Sequence, residues 1–156
     1  MAGTLTAPKL SARGLVVRRG GRLLLDVPSF DLAPGQVIAL IGPNGAGKTT
    51  LVLQLALLER PDAGEILFDG APVRGRELAL RRRMAVVFQE PLLLDRTVTA
   101  NVETGLRLRG VSGDERRTRA DRWLARFGVE ALAQRAPRTL SGGEAQRVSL
   151  ARAFAL

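Results

Sequence analysis

Gly42-Pro43-Asn44-Gly45-Ala46-Gly47-Lys48-Thr49 spaces two glycines, a lysine and a hydroxyl in the pattern Gly-x-x-x-x-Gly-Lys-Ser/Thr, and Thr50 follows directly. Glycines let the backbone bend until successive N–H groups turn inward on phosphate oxygens, and a helix that follows directs its positive end at the same anion. In that chemistry Lys48 reaches the β- and γ-phosphates of a nucleotide and the Thr49 hydroxyl ligates Mg²⁺. A second constellation, Leu140-Ser141-Gly142-Gly143-Glu144-Ala145-Gln146-Arg147, places a hydroxyl and two glycines just ahead of a helix. It reads either as a second anion site or as a serine-capped helix start. Two phosphate-seeking helix starts exceed what one nucleotide needs, which points to a nucleotide held by another subunit.

The elements around these residues are legible from pattern. Leu10 to Arg18 and Arg22 to Phe30 read as strands split by the Gly20-Gly21 turn, and Pro34-Gly35 marks the next turn. Val37 to Ile41 is a short, continuous apolar run, which predicts a strand buried on both faces of a parallel sheet and leading into the glycine loop. Leu51 to Leu58 reads as the helix after that loop, Glu65 to Phe68 as a strand, Glu77 to Arg83 as a helix and Met84 to Val87 as a further strand. Thr97 is placed to cap a helix through about Leu108, and Ser112 with Glu115 forms a capping-box pattern for the next. There Ala120, Trp123, Leu124 and Phe127 make an apolar stripe, with Gly128 at the stop position, and Arg119, Arg122 and Arg126 form a solvated face. A last helix opens at Ser141 and runs to the end, while Met1 to Pro8 make a loose start.

Composition narrows the chemistry. The 156 residues are 46% hydrophobic and 25% charged, enough for one real core, which excludes collagen-like and fully disordered chains. No apolar run approaches the roughly 20 residues of a membrane span. There is no Cys and no His, so disulfides, thiolate metal sites and imidazole bases are excluded. The net charge of +9 comes from arginines scattered along the chain; Lys9 and Lys48 are the only lysines. Scattered arginines with five Phe, one Trp and no Tyr offer little for stacking nucleic-acid bases.

Three motifs in order, the glycine loop, Val87-Phe88-Gln89-Glu90-Pro91 and Leu-Ser-Gly-Gly-Glu-Ala-Gln-Arg, make the chain from about Leu10 to Leu156 resemble the ATP-binding cassette (ABC) family. Gln89 stands 41 residues after Lys48, and Ser141 stands 52 residues after Gln89, intervals that also resemble the family. The resemblance implies an α/β P-loop NTPase core with an N-terminal antiparallel β part and an inserted helical subdomain. It divides residues 1–156 into a β subdomain and core (10–91), a helical subdomain (92–137) and a signature motif with its helix (138–156). It makes Gly42, Pro43, Asn44, Gly45, Ala46, Gly47, Lys48, Thr49 and Thr50 the Walker A loop for ATP. Gln89 becomes a contact to Mg²⁺ and the attacking water, and Ser141, Gly142, Gly143 and Gln146 the signature motif facing a partner's ATP in a head-to-tail dimer. Lys48, Gln89 and Ser141 are then the residues expected to carry catalysis, with Thr49 and Gln89 on the metal.

Two departures bear on these expectations. Where the family has an aromatic residue that stacks on adenine, Val17 to Gly21 offers Arg19, which either stacks its guanidinium or faces solvent. The Walker B carboxylates and the switch His are not in the chain, so these 156 residues alone are expected to lack ATPase activity and to expose the Val37 to Ile41 strand. The reading is an ATP-binding subunit of a transporter, peripheral on the cytoplasmic face of the membrane through separate permease subunits, with no nucleic acid expected. An importer is favoured, and residues 101–110 look most like oxyanion importers. Beside it stand a non-transport ABC ATPase acting on nucleic acid and a non-catalytic nucleotide-binding fragment.

Overall fold

The computed structural model describes residues 7–156, so most of the loose start expected at Met1 to Pro8 lies outside the described residues. These residues form two compact units that meet at Met84 and Ala85.

The first unit is built on an antiparallel sheet. Strands β1 (Leu10–Arg19) and β2 (Arg22–Leu32) form a hairpin, followed by helix α1 (Lys48–Leu55), strands β3 (Ala63–Phe68) and β4 (Ala71–Pro72) and the short helix α2 (Glu77–Arg81). The spatial order is β2-β1-β3-β4, with every neighbouring pair antiparallel. Ala12, Leu15 and Val17 of β1 are fully buried and pack with Ile66 and Phe68 of β3, Leu51 and Leu55 of α1, and Leu80 of α2. Burying a side chain such as Leu15 is worth about 1.5–3 kcal/mol, so this cluster is what holds the glycine loop's helix on its sheet. Gly64 opens β3 where β1 passes very close. Its φ is +86°, and a Cβ there would lie 2.2 Å from the Gly14 carbonyl oxygen, so only glycine fits.

The second unit is helical: α3 (Val98–Leu108), α4 (Gly113–Arg126) and α5 (Gly142–Phe154), with 3-10 turns at Glu130–Leu132 and Pro137–Thr139. Val98, Val102 and Leu106 of α3, Ala120 and Leu124 of α4, and Val148 and Ala151 of α5 form one buried cluster, with Trp123 and Phe127 packed against it. Thr97 caps α3 by accepting the Ala100 N–H, and Gly128 ends α4 with φ +63°, both at the expected positions.

Several expectations are corrected. Val37 to Ile41 and Met84 to Val87 are not strands. Val37 and Ile41 are each 94% exposed, so the exposure expected of these 156 residues alone is present and the strand is not. A strand exists only through its neighbours, and β2 and β4 end the one sheet that the described residues form. Helix α1 begins at Lys48 and stops at Leu55, because Leu57 turns left-handed at φ +59°. Helix α5 stops at Phe154 and so does not run through Leu156. The capping box at Ser112 does not form. Ser112 occupies the cap position without a side-chain hydrogen bond, and Glu115 pairs with Arg119 one turn on.

Candidate phosphate-binding site

After β2 the chain turns at Ala33 to Gln36, where Gln36 N–H donates to the Ala33 carbonyl and Ala33 N–H to the Gln36 side chain, and then runs to the glycine loop. Within the loop Ala46 N–H donates to the Pro43 carbonyl, and Gly45 and Gly47 take φ +81° and +82°. Gly47 is the N-cap of α1 and lies hard against β2. A Cβ there would sit 2.9 Å from the Leu24 carbonyl oxygen and 3.2 Å from Leu25 Cδ1, so both conformation and space demand glycine.

Lys48 folds over the loop. Its Nζ donates to the carbonyls of Gly42 and Pro43, each at 2.7 Å, which holds the ammonium over the turn that precedes the helix. These neutral acceptors are weaker partners for an ammonium than an anionic oxygen. The first turn of α1 has no acidic residue and Gly47 offers no side-chain cap, so the positive end of the helix meets no carboxylate of its own. Gly42, Pro43, Asn44, Gly45, Ala46 and Thr49 are exposed, whereas Lys48 and Thr50 are half-buried. The loop can therefore receive an anion without opening the core. A separate cleft of about 700 Å³ in the same unit, between residues 57–66 and 72–81, is lined by none of these residues. Arg19, at the end of β1, donates from Nη2 to Glu59 at 2.8 Å. Its guanidinium is thus engaged by a carboxylate.

In the second unit Gln89 sits exposed on a bend. The segment around it is fastened to α5: Gln146 Nε2 donates to the Phe88 carbonyl at 3.4 Å, and Arg152 donates to the carbonyls of Pro91 and Leu92, both at 2.9 Å. Burial pulls the Arg152 guanidinium below the ordinary arginine value. Further along, buried Asn101 accepts the Leu94 N–H and donates to the carbonyls of Leu94, Arg96 and Thr97.

Ser141 is the N-cap of α5, and the capping box forms here. Its Oγ accepts the Glu144 N–H at 3.3 Å, while the Glu144 carboxylate accepts the Ser141 N–H at 2.7 Å. That backbone N–H, followed by the Ser141 hydroxyl, holds the Glu144 carboxyl below the usual glutamate range. Of the two readings of this motif, helix capping is realised, and Gly142 and Gly143 remain exposed beside it. Gly42 to Thr50 and Arg19 belong to the first unit, and Gln89 and Ser141 to Gln146 to the second. Within the second, Gln146 reaches the Gln89 segment through Phe88.

The sequence patterns did not reveal Arg152 or Asn101. Each bonds the backbone of an irregular segment, and no residue spacing along the chain marks such an acceptor.

The family model described as ABC transporter matches residues 25–156, from β2 through the glycine loop to the end of α5. The chain belongs to the ABC transporter family. Among curated ABC relatives, it is 44% identical to the methionine import ATP-binding protein MetN 1 of Rhodococcus jostii (strain RHA1), over 88% of this chain and 42% of that protein. It is 43% identical to the cell division ATP-binding protein FtsE of Escherichia coli (strain K12), over 86% of this chain and 63% of that protein. The chain thus spans roughly two to three fifths of the length of these relatives. Among solved structures it matches cbiO1 of Clostridium perfringens, part of the ABC transporter complex cbiONQ, with a TM-score of 0.82 at 31% identity, covering 96% of this chain and 62% of that one. The bacterial ABC transporter cassette MJ0796, solved as a dimer, matches with a TM-score of 0.85 at 29% identity, covering 94% and 69%. The fold is that of an ABC-type P-loop ATPase, with the expected antiparallel sheet and helical part. Among the described residues no helix is long and apolar enough to cross a membrane.

Proposed function

We propose that this chain is the ATP-binding part of an ABC transporter subunit, one that binds ATP with Mg²⁺ at Gly42 to Thr50 and couples its hydrolysis to solute import. The observation that carries this is Lys48, whose ammonium waits over the glycine loop on two neutral carbonyls. A phosphate oxygen would replace those neutral acceptors with an anionic one, and the amides at the start of α1 would supply further donors. The exposed Thr49 hydroxyl suits a Mg²⁺ held largely by nucleotide phosphates. Thr49 and Gln89 would hold that ion, which neutralises charge building on the phosphates. Gln89 would also orient the attacking water.

Ser141, Gly142, Gly143 and Gln146 would face the nucleotide of a second copy arranged head to tail, a reading supported by the dimer of MJ0796. Permease subunits are the proposed membrane partners, supported by the place of cbiO1 in cbiONQ, and they would hold the chain at the cytoplasmic face. Import is supported by the names of two relatives, MetN 1 and the Fe(3+) ions import protein FbpC of Streptomyces coelicolor. Neither is named for an oxyanion, so the proposal stops at the importer class. Arg19 would offer adenine the face of its guanidinium, whose Nη2 pairs in plane with Glu59.

Calorimetry tests the central assignment. MgATP should bind the wild-type chain, and Lys48→Ala should lower its affinity by about tenfold or more, the loss of one charge-assisted contact. Equal affinities would sink the assignment.

A further inference from the structure

Residues 88–92 form no helix or strand, so their carbonyls need donors from elsewhere. Leu92 is held at φ +44°, a left-handed conformation that costs a non-glycine residue about 1–3 kcal/mol and persists only where its surroundings impose it. Helix α5 supplies donors to this segment. Arg152 spreads its fork over consecutive residues, Nη1 on the Leu92 carbonyl and Nη2 on the Pro91 carbonyl, and Nη2 also lies 3.4 Å from Ser149 Oγ. All three acceptors are neutral oxygens, so this half-buried cation is spent on shaping backbone and not on an ion pair. Gln146, nearer the start of the same helix, holds the Phe88 carbonyl. Gln89 is therefore bracketed by two donors from the helix that begins at Ser141.

We propose that Arg152 is a positioning residue for Gln89, clamping the Pro91 and Leu92 carbonyls so that the Gln89 loop and the Ser141 helix move as one piece. The proposal rests on the reading of Gln89 as the contact to metal and water. The planar fork fixes its two donors in one rigid geometry, whereas an ammonium is a point charge on a flexible four-carbon stem, so lysine should replace Arg152 only in part. The aliphatic stem packs independently of the fork, so methionine isolates the clamp from the packing.

The test uses Arg152→Met, Arg152→Lys and Gln89→Ala in the complete subunit, with hydrogen exchange, thermal unfolding and ATP turnover as readouts. Arg152→Met should speed exchange in residues 88–92 about tenfold while the core amides of α3, α4 and α5 stay protected. Turnover should fall about tenfold, as for other groups that orient a metal contact, with KM for ATP kept within about twofold. Arg152→Lys should restore part of the turnover, and Arg152→Met added to Gln89→Ala should cost little more. Unchanged exchange at 88–92, or a loss from Arg152→Met that is as large in the Gln89→Ala background as in wild type, overturns the proposal. If Arg152→Met lowers the unfolding temperature enough to blur the reading, Arg152→Lys decides: wild-type exchange and turnover with the fork removed also overturn it. Wild-type turnover in Gln89→Ala overturns the reading of Gln89 and this proposal with it. A Gln89→Ala defect that Arg152→Met fails to reproduce overturns the proposal alone.

Discussion

Helices α1 and α5 both open on a glycine-containing motif, α1 after Gly47 and α5 at Gly142, and they end up with opposite electrostatics. At the start of α1, Gly47 caps nothing with a side chain, no acid stands in the first turn, and Lys48 is the first helical residue. At the start of α5, Ser141 and Glu144 satisfy each other's amides and a carboxylate lies over the positive end of the helix. The first start has no acidic acceptor in its own first turn, while the second carries the Glu144 carboxylate. Two glycine-rich helix starts can thus differ in whether the first turn brings its own acidic acceptor.

The largest expected effect separates the two starts by binding. In the chain alone, Ser141→Ala should leave MgATP affinity within about twofold, against the loss of about tenfold or more expected for Lys48→Ala. If Ser141→Ala lost as much affinity as Lys48→Ala, the two sites would be one, and the assignment of Ser141 to a partner's nucleotide would fall. A next effect concerns stability. Gly47→Ala forces a left-handed Cβ to within 2.9 Å of a β2 carbonyl and should cost about 1–3 kcal/mol, read by denaturant unfolding. An unchanged midpoint would mean that α1 does not need its close approach to β2.

Ser141→Ala should cost less, about 1 kcal/mol, because it removes one cap bond from an exposed helix start. A cost near zero in the same assay would show that the capping box does not operate in solution. The smallest effect is a pH dependence. The folded-state value of Glu144 is depressed, so its contribution is complete above the unfolded glutamate pKa and is lost as pH falls through the folded one. Hydrogen exchange in the first turn of α5 should rise below the ordinary glutamate range and flatten in Glu144→Gln. The first turn of α1, which has no such carboxylate, should show no matching rise.

Local features were legible from the residues alone. The glycine loop, the Thr97 cap, the Gly128 stop and the Ala120 to Phe127 stripe all follow from residues within a few positions of one another, where conformational preference and helix period act directly. Only the tertiary structure decided the rest. Ser112 and Ser141 both precede a glutamate by three residues, yet only Ser141 forms the box, and Glu115 pairs with Arg119 instead. Val37 to Ile41 reads as a core strand, but an apolar run states a need for partners and not their presence, and Val37 lies 94% exposed. Arg152 meets Leu92 across 60 residues of chain, and its acceptor is a backbone carbonyl that every residue type carries alike. Such a contact leaves no mark on the sequence and becomes visible only once the fold has brought its two ends together.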